Sequence, residues 1–194
     1  SVFQYYDSIT NLTINTTTNS IYNNNLNQLS NLNQIIISSP VTTIGDNAFC
    51  DISQLQEITI PESVTTIGSN AFNGCSSLRK VIIPPSVTSI RSNAFSNCSN
   101  IREVECDPYK ISLKSVFQYY DSITNLTINT SSSTLTDIGM SKLSSLNKIT
   151  ILSPVTAIGD NAFSNCKKLK QITIPESVKQ IGYNSFYKCK SLCE

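Results

Sequence analysis

The sequence predicts an α/β repeat fold, namely a right-handed solenoid with one face of parallel strands and a short helical or irregular back. The first observation is a period of 23 residues, at which Phe49, Phe72 and Phe95 recur. The second is a set of apolar pairs with one residue between them, which keep the same step and indicate short strands with one buried face. The third is that residues 1–16 are identical to residues 115–130. Because a unit this short cannot bury its own apolar side chains, we expect stacked coils.

Two columns of large apolar residues extend the period along the whole chain. The first column comprises Phe3, Leu26, Phe49, Phe72, Phe95, Phe117, Met140, Phe163 and Phe186. The second lies six residues later and comprises Ile9, Leu32, Leu55, Leu78, Ile101, Ile123, Leu146, Leu169 and Leu192. The strand pairs are Leu12/Ile14, Ile35/Ile37, Ile58/Ile60, Val81/Ile83, Val104/Cys106, Leu126/Ile128, Ile149/Ile151 and Ile172/Ile174. We therefore expect one solenoid of about eight to nine coils over residues 1–194, with residues 1–80 duplicated in residues 115–194.

Each coil divides into a strand and a turn for local reasons. Residues 57–61 alternate polar and apolar side chains and then end in proline, which has no N–H to donate to a neighbouring strand. Farther along the coil, Asp46 or Ser69 is placed to cap a short helical turn that begins near Asn47 or Asn70. We expect the asparagines of this turn to use a buried amide that bonds the backbone of the adjacent coil. They are Asn47, Asn70, Asn93, Asn161 and Asn184.

The composition argues against several classes of function. The chain contains no His, which removes Ser-His-Asp and Cys-His catalysis and His-based zinc sites. A net charge of +1 gives no electrostatic reason to expect nucleic acid or an anionic membrane as the partner. Without a run of 18 apolar residues, no membrane insertion is expected of this chain. Acidic residues are scattered and no Gly-rich phosphate loop is present, so we expect a protein that is not an enzyme and has no cofactor or metal.

The repeated unit is Leu-x-x-Ile-x-Ile-Pro-x-Ser-Val-Thr-x-Ile-Gly-x-Asn-Ala-Phe-x-x-Cys-x-x, which resembles the BspA-like leucine-rich repeat, also called the Treponema pallidum type. Residues 35–106 and 149–193 match it closely, whereas residues 1–34 and 107–148 keep the apolar frame and lose Asn-Ala-Phe and Cys. The resemblance implies a curved leucine-rich-repeat solenoid. It also implies a cell-surface or extracellular protein of a mucosal bacterium or parasitic protist, with a role in virulence through adhesion to host cells and matrix proteins.

The outward strand positions are the candidates for protein binding, since strand faces of leucine-rich repeats commonly bind proteins. We expect Ile36 and Ile82 to be exposed on this face, which favours a protein contact. The competing interpretation is that β-branched residues merely suit a strand. The candidates are Gln34, Ile36, Glu57, Thr59, Lys80, Ile82, Glu103, Glu105, Lys148, Thr150, Gln171 and Thr173.

Four of the seven cysteines follow the phenylalanine column by three residues, at a position that other coils fill with Leu, Ile or Tyr. Buried free thiols are the favoured interpretation. Disulfides between neighbouring coils are the alternative, because the spacing of stacked coils permits them. The four are Cys75, Cys98, Cys166 and Cys189.

Five asparagines fit the acceptor pattern for N-glycosylation, which in an Asn- and Thr-rich chain also arises by chance. They are Asn11, Asn15, Asn97, Asn125 and Asn129.

Two other functions stay open at the level of sequence. One is a structural spacer or self-associating array, and the other is an intracellular protein-interaction scaffold, which fits seven reduced cysteines. The sequence begins at Ser1 inside a coil and stops after Cys193 and Glu194, where the next strand would begin. We therefore expect a piece of a longer array, or end-to-end self-association.

Overall fold

The computed structural model describes residues 8–22, 26–38, 40–152 and 154–193. The chain divides into two compact units. The first contains the residues up to Ile101 together with Ile111–Tyr119, and the second contains Arg102–Lys110 together with the residues from Tyr120 onward. Each unit is a stack of coils built from parallel strands, with very little helix.

The first unit has two parallel sheets. One has the strand order β1-β3-β5-β7 and the other the order β2-β4-β6-β8. The strands are β1 (Asn11–Ile14), β2 (Ser20–Ile21), β3 (Gln34–Ile37), β4 (Thr43–Ile44), β5 (Glu57–Thr59), β6 (Thr66–Ile67), β7 (Lys80–Ile82) and β8 (Ser89–Ile90). A 3-10 turn spans Leu26–Gln28, and the single-turn helix α1 spans Leu113–Val116.

The second unit repeats this arrangement. Its sheets have the orders β9-β10-β12-β14 and β11-β13-β15. The strands are β9 (Glu103–Cys106), β10 (Asn125–Ile128), β11 (Thr134–Leu135), β12 (Lys148–Ile151), β13 (Ala157–Ile158), β14 (Gln171–Thr173) and β15 (Gln180–Ile181). Two 3-10 turns span Tyr120–Ser122 and Met140–Lys142.

The register of the sheets follows the sequence period. Ile35 is paired with Ile58, and Ile58 with Val81, so equivalent residues of successive coils lie side by side. Each of the eight predicted strand pairs begins within a strand of the sheet β1-β3-β5-β7 of the first unit or of the sheet β9-β10-β12-β14 of the second. The predicted parallel strand face is therefore confirmed.

The phenylalanine column forms a stack of rings in the core of each unit. Ring centroids are 5.4 Å apart for Phe49 and Phe72, 5.0 Å for Phe72 and Phe95, and 5.2 Å for Phe95 and Phe117. In the second unit the rings of Phe163 and Phe186 are 5.5 Å apart. Phe3 lies outside the described residues. In the second column, Leu32, Leu55, Leu78, Ile101, Ile123, Leu146 and Leu169 are buried, whereas Ile9 and Leu192 are half-buried.

The short helical turn expected near Asn47 or Asn70 does not form, because the asparagines adopt left-handed backbone conformations. Asn70 has φ 55° and Gly74 has φ 79°. Within the coil, the N–H of Asn73 donates to the carbonyl of Asn70 at 3.0 Å. Alternate N–H groups of the turn bond the following coil, as when Phe72 donates to the carbonyl of Ala94 at 2.8 Å. Left-handed residues at Asn70 and Gly74 thus shape an arc that bonds both itself and the following coil.

The expected buried amides are also absent from these positions in the described chain. Asn47 and Asn70 are half-buried, and Asn93, Asn161 and Asn184 are exposed. All five have φ between 55° and 60°, a region that Asn tolerates better than most residues because its short side chain bonds locally. The left-handed backbone conformation therefore accounts for Asn at these positions better than a buried amide does.

Carboxylates bond the next coil where a helix cap was expected. Asp46 accepts a hydrogen bond from the N–H of Ser69 at 2.7 Å, and Asp160 accepts one from Tyr183 at 2.6 Å. Serine hydroxyls add bonds of the same kind, as when Ser63 donates to the carbonyl of Val41 at 2.8 Å. These bonds tie successive coils together at the surface.

Candidate protein-binding face

The strand face of the first unit carries its candidate residues in two rows that run across β3, β5 and β7. One row places Glu57 beside Gln34 and Lys80 in register. The other places Thr59 between Ile36 and Ile82. Since adjacent strands of a sheet lie about 4.8 Å apart, each row presents a closely spaced line of side chains.

The candidate residues differ in exposure, and none of the twelve is buried. Eight are exposed: Ile36, Glu57, Thr59, Lys80, Glu103, Lys148, Gln171 and Thr173. Four are half-buried: Gln34, Ile82, Glu105 and Thr150. Ile36 is 42% exposed, as expected for this row. Ile82 was expected to be exposed and is half-buried, because side chains of one row stand side by side and partly cover a β-branched neighbour.

The strand face of the second unit is more acidic, and its carboxylates are held in place by amides. Asn125 donates from Nδ2 to Oε1 of Glu103 at 3.3 Å, and Asn129 donates to Oε1 of Glu105 at 3.0 Å. Both bonds join neighbouring coils, so the two carboxylates have restricted positions on the face. The sequence predicted these asparagines as glycosylation acceptors. The 22-residue step between the two coils could have revealed the contact of Asn125 with Glu103, whereas Asn129 lies 24 residues from Glu105 and is not its partner in register.

The five glycosylation candidates lie in different settings. Asn11, Asn15 and Asn97 are exposed, whereas Asn125 and Asn129 are half-buried and already use Nδ2 as a hydrogen-bond donor. Asn97 also donates from Nδ2, to Oδ1 of Asn73 at 3.1 Å. A glycan at any of these last three positions would compete with an existing bond. Glycosylation stays a prediction.

The four cysteines of the column are free thiols, and three of them bond the backbone of the preceding coil. Sγ of Cys75 donates to the carbonyl of Phe49 at 3.2 Å, Cys98 to Phe72 at 3.1 Å, and Cys189 to Phe163 at 3.1 Å. The thiols therefore act as weak donors that satisfy carbonyl groups within the stack.

Burial makes these thiols poor nucleophiles. Desolvation raises the pKa of Cys98 and of Cys166 to about 12, and it also raises the pKa of Cys75. Burial and a hydrogen bond to the neighbouring Asp51 raise the pKa of Cys50 to about 11. Since the thiolate is the reactive form, these groups have little reactivity near neutral pH.

The described residues contain neither a candidate metal site nor a candidate membrane-spanning helix. No group of three or more Cys, Asp or Glu side chains there is arranged to hold a metal ion. No helix in the same residues has both the length and the apolar character needed to cross a bilayer.

Several solved structures are similar to this chain. A leucine-rich repeat protein from Bacteroides ovatus has 20% identity and a TM-score of 0.46, covering 95% of this chain and 65% of its own. The leucine-rich repeat protein of T. pallidum has 20% identity and a TM-score of 0.46, covering 98% of this chain and 80% of its own. A leucine-rich cell surface protein from Faecalibacterium prausnitzii has 28% identity and a TM-score of 0.38, covering 82% and 46%. The chain thus spans less than two thirds of the Bacteroides and Faecalibacterium proteins.

A search of curated proteins finds no match. The model of the BspA type leucine-rich repeat region, by contrast, matches the chain in six copies, over residues 1–116 and 110–194. These ranges cover both of the units described above, including the coils that lack Asn-Ala-Phe and Cys. The chain is therefore a member of the BspA-type leucine-rich-repeat family.

Proposed function

We propose that this chain is a non-catalytic recognition module, at a cell surface or secreted, which adheres to a host-cell or matrix protein through the strand face of its solenoid. The observation that carries the proposal is the pair of in-register rows on the sheet β1-β3-β5-β7 of the first unit and on the sheet β9-β10-β12-β14 of the second. Leucine-rich-repeat solenoids are typically binding scaffolds, and a rigid sheet presents such rows without an ordering cost on association.

The chemistry of the rows suits a protein partner. In the first unit, Ile36 offers an exposed aliphatic side chain next to Thr59, and the parallel row offers the charges of Glu57 and Lys80. Apolar contacts bordered by polar groups are typical of protein interfaces. Strand positions that face outward can vary without disturbing the core, which lets such a face adapt to a partner.

The absence of a catalytic role is supported by the state of the reactive groups. The column thiols have raised pKa values, and Cys75, Cys98 and Cys189 donate their S–H groups to backbone carbonyls. The carboxylates of Glu103 and Glu105 accept hydrogen bonds from amides. Neither set forms a nucleophile–base pair of the kind that covalent catalysis uses.

The test is binding of the purified chain to a panel of matrix proteins and to cultured host cells. The variant pairs Ile36→Glu with Thr59→Glu, which are adjacent and exposed. The control pairs Ser89→Glu with Ser92→Glu, which are exposed outside the strand face and add the same charge. Circular dichroism and size-exclusion chromatography verify that both variants fold.

Saturable binding that falls at least about tenfold in the strand-face variant and stays within about twofold in the control supports the proposal, because buried like charges and lost apolar contact both weaken an interface. Equal binding by the two variants moves the site away from the strand face. If the folded chain binds no panel member, the spacer becomes the better interpretation. If it binds only intracellular proteins, the scaffold does.

A further inference from the structure

A cluster of lysines distinguishes three consecutive turns of the second unit. The turns run over residues 140–147, 163–170 and 186–193, each from the first apolar column toward the next strand position. Together they contain no Asp or Glu. Their basic residues, here called the lysine edge, are Lys142, Lys167, Lys168, Lys170, Lys188 and Lys190.

The equivalent turns elsewhere in the chain have no such surplus. They carry the basic residues Arg79 and Arg102 against the acidic residues Asp7, Asp51 and Asp121. A net charge of +1 for the whole chain therefore conceals a local concentration of positive charge. Local fields of this kind, and not the net charge alone, decide which charged partners a surface attracts.

The turns that carry these lysines are fixed to one another by hydrogen bonds. Lys170 donates its N–H to Asn147 of the preceding coil at 2.8 Å, and Asn165 donates to the carbonyl of Tyr187 in the next coil at 2.7 Å. Ser191 donates from Oγ to the carbonyl of Lys167 at 2.8 Å. Lys167 and Lys190 occupy equivalent positions of adjacent coils, 23 residues apart. The charges thus follow the stacking direction in a line.

All six side chains are exposed, and none forms a salt bridge with a carboxylate among the described residues. Two carboxylates that are close in sequence to these turns have other roles. Asp137 accepts a hydrogen bond from the N–H of Gly139 at 2.8 Å, and Asp160 accepts one from Tyr183 at 2.6 Å. The positive field of the lysine edge is therefore not neutralised by the turns that bear it.

An open cleft lies between the first two of these turns. It has a volume of about 560 Å³ and is lined by Ser141, Leu143, Ser144, Asn165, Lys167 and Lys168. Its polar lining combines two ammonium groups with hydroxyl and amide groups. Ammonium groups attract sulfate, whereas hydroxyl and amide groups suit the hydroxyls of a sugar.

We propose that the lysine edge binds a linear sulfated polysaccharide, independently of the strand face. Single-stranded nucleic acid fits less well, because it needs aromatic platforms for its bases. The exposed aromatic residue of these turns is Tyr187, and the ammonium of Lys188 lies 4.9 Å from the centre of its ring. The edge also lacks arginine, whose planar fork favours phosphate recognition.

The test is binding of the full chain to heparin, with desulfated heparin and an oligothymidine of matched charge as competing probes. The variant Lys167→Glu with Lys190→Glu reverses two charges on adjacent coils. The control Arg79→Glu with Lys114→Glu makes the same change in net charge on exposed residues of the first unit. A third variant, Lys167→Gln with Lys190→Gln, removes the charges without reversing them.

We expect heparin binding to weaken by about tenfold or more in the Glu variant and by a smaller factor in the Gln variant, with a shallower dependence on salt. The control should stay within about twofold of the unmodified chain. Equal losses in the variant and the control would overturn the proposal in favour of a net-charge effect. Oligothymidine or desulfated heparin that binds as tightly as heparin would overturn the assignment of a sulfated ligand. A folded chain that does not bind heparin at low salt would overturn the proposal altogether, without bearing on the strand-face variant.

Discussion

Replacement of Phe72 by alanine should destabilise the first unit more than the same replacement near the end of the second. Phe72 has no exposed surface, and its ring lies between those of Phe49 and Phe95, with centroid distances of 5.4 and 5.0 Å. Phe→Ala in a packed core costs about 3–5 kcal/mol, which includes the cavity that remains. The two aromatic pairs add specificity worth about 0.5–1.5 kcal/mol each, so we expect a value near the upper end.

Phe186 supplies the matched comparison. It is half-buried and has one described ring partner, Phe163, at 5.5 Å. With less burial and one ring pair, Phe186→Ala should cost about half as much as Phe72→Ala. The conservative change Phe72→Leu keeps most of the apolar volume and removes both ring pairs, and it should cost about 1–2 kcal/mol.

Urea unfolding followed by far-UV circular dichroism gives the free energies of unfolding for these variants. Tyrosine fluorescence provides a second probe, since the chain has eight tyrosines and no tryptophan. Coincident transitions are required before the numbers are compared, because repeat proteins can unfold in parts. If Phe72→Ala costs no more than Phe186→Ala, the phenylalanine stack is not the main source of stability and the reasoning is wrong.

Four further predictions concern the backbone and the thiols. Asn70→Ala should destabilise the chain by about 1–2 kcal/mol in urea unfolding, because a backbone φ of 55° is costly for Ala. Asn70→Gly should be nearly neutral, and equal effects of the two variants would refute the backbone argument. Gly68→Ala should strongly destabilise the chain, because the added Cβ would lie 2.5 Å from a backbone carbon of the preceding coil. The melting temperature should therefore fall, and an unchanged melting temperature would contradict this. Iodoacetamide at pH 8 should modify the exposed Cys193 first and leave Cys98 unmodified until unfolding, as read by peptide mass spectrometry. Burial raises the folded-state pKa of Cys98 from 9.0 to about 12. The stability that the protonated thiol contributes is therefore complete below pH 9 and should decline as the pH rises toward 12. A Cys98→Ala variant with an unchanged alkaline stability profile would contradict that.

The strands and the core were predictable because they depend on a pattern that stacking repeats many times. The position of Phe72 within its coil implies that of Phe95, and apolar residues at one position must meet their equivalents when coils stack. The phenylalanine column and the alternate pairs therefore indicated which residues are buried. The family was recognisable for the same reason, since its motif is the consensus of one coil.

The second parallel sheet and the left-handed turns were not predictable in this way. Strands such as β6, which contains only Thr66 and Ile67, are too short for an alternating pattern to be detected. Their pairing depends on N–H and C=O groups of adjacent coils, which carry no side-chain signal. The turn at Asn70 resembled a capped helix in sequence, because Ser69 before it is a residue type that favours helix caps, whereas Asn70 itself also tolerates left-handed backbone.

The sequence predicted which positions form the candidate binding face, but it did not predict how exposed each side chain is or which side chains bond one another. Alternation places Ile36 and Ile82 on the same side of the sheet, but their different exposures depend on how neighbouring side chains cover them. The bonds from Asn125 and Asn129 to Glu103 and Glu105 depend likewise on the separation of two coils.

By itself, the sequence determined the period, the apolar columns, the parallel strand face and the family, because each follows from a regularity that every coil repeats. The tertiary structure decided how the turns close, which outward side chains are exposed, and how the lysines of successive turns form one charged edge. These features depend on distances between residues of different coils, and such distances exist only after the coils have stacked.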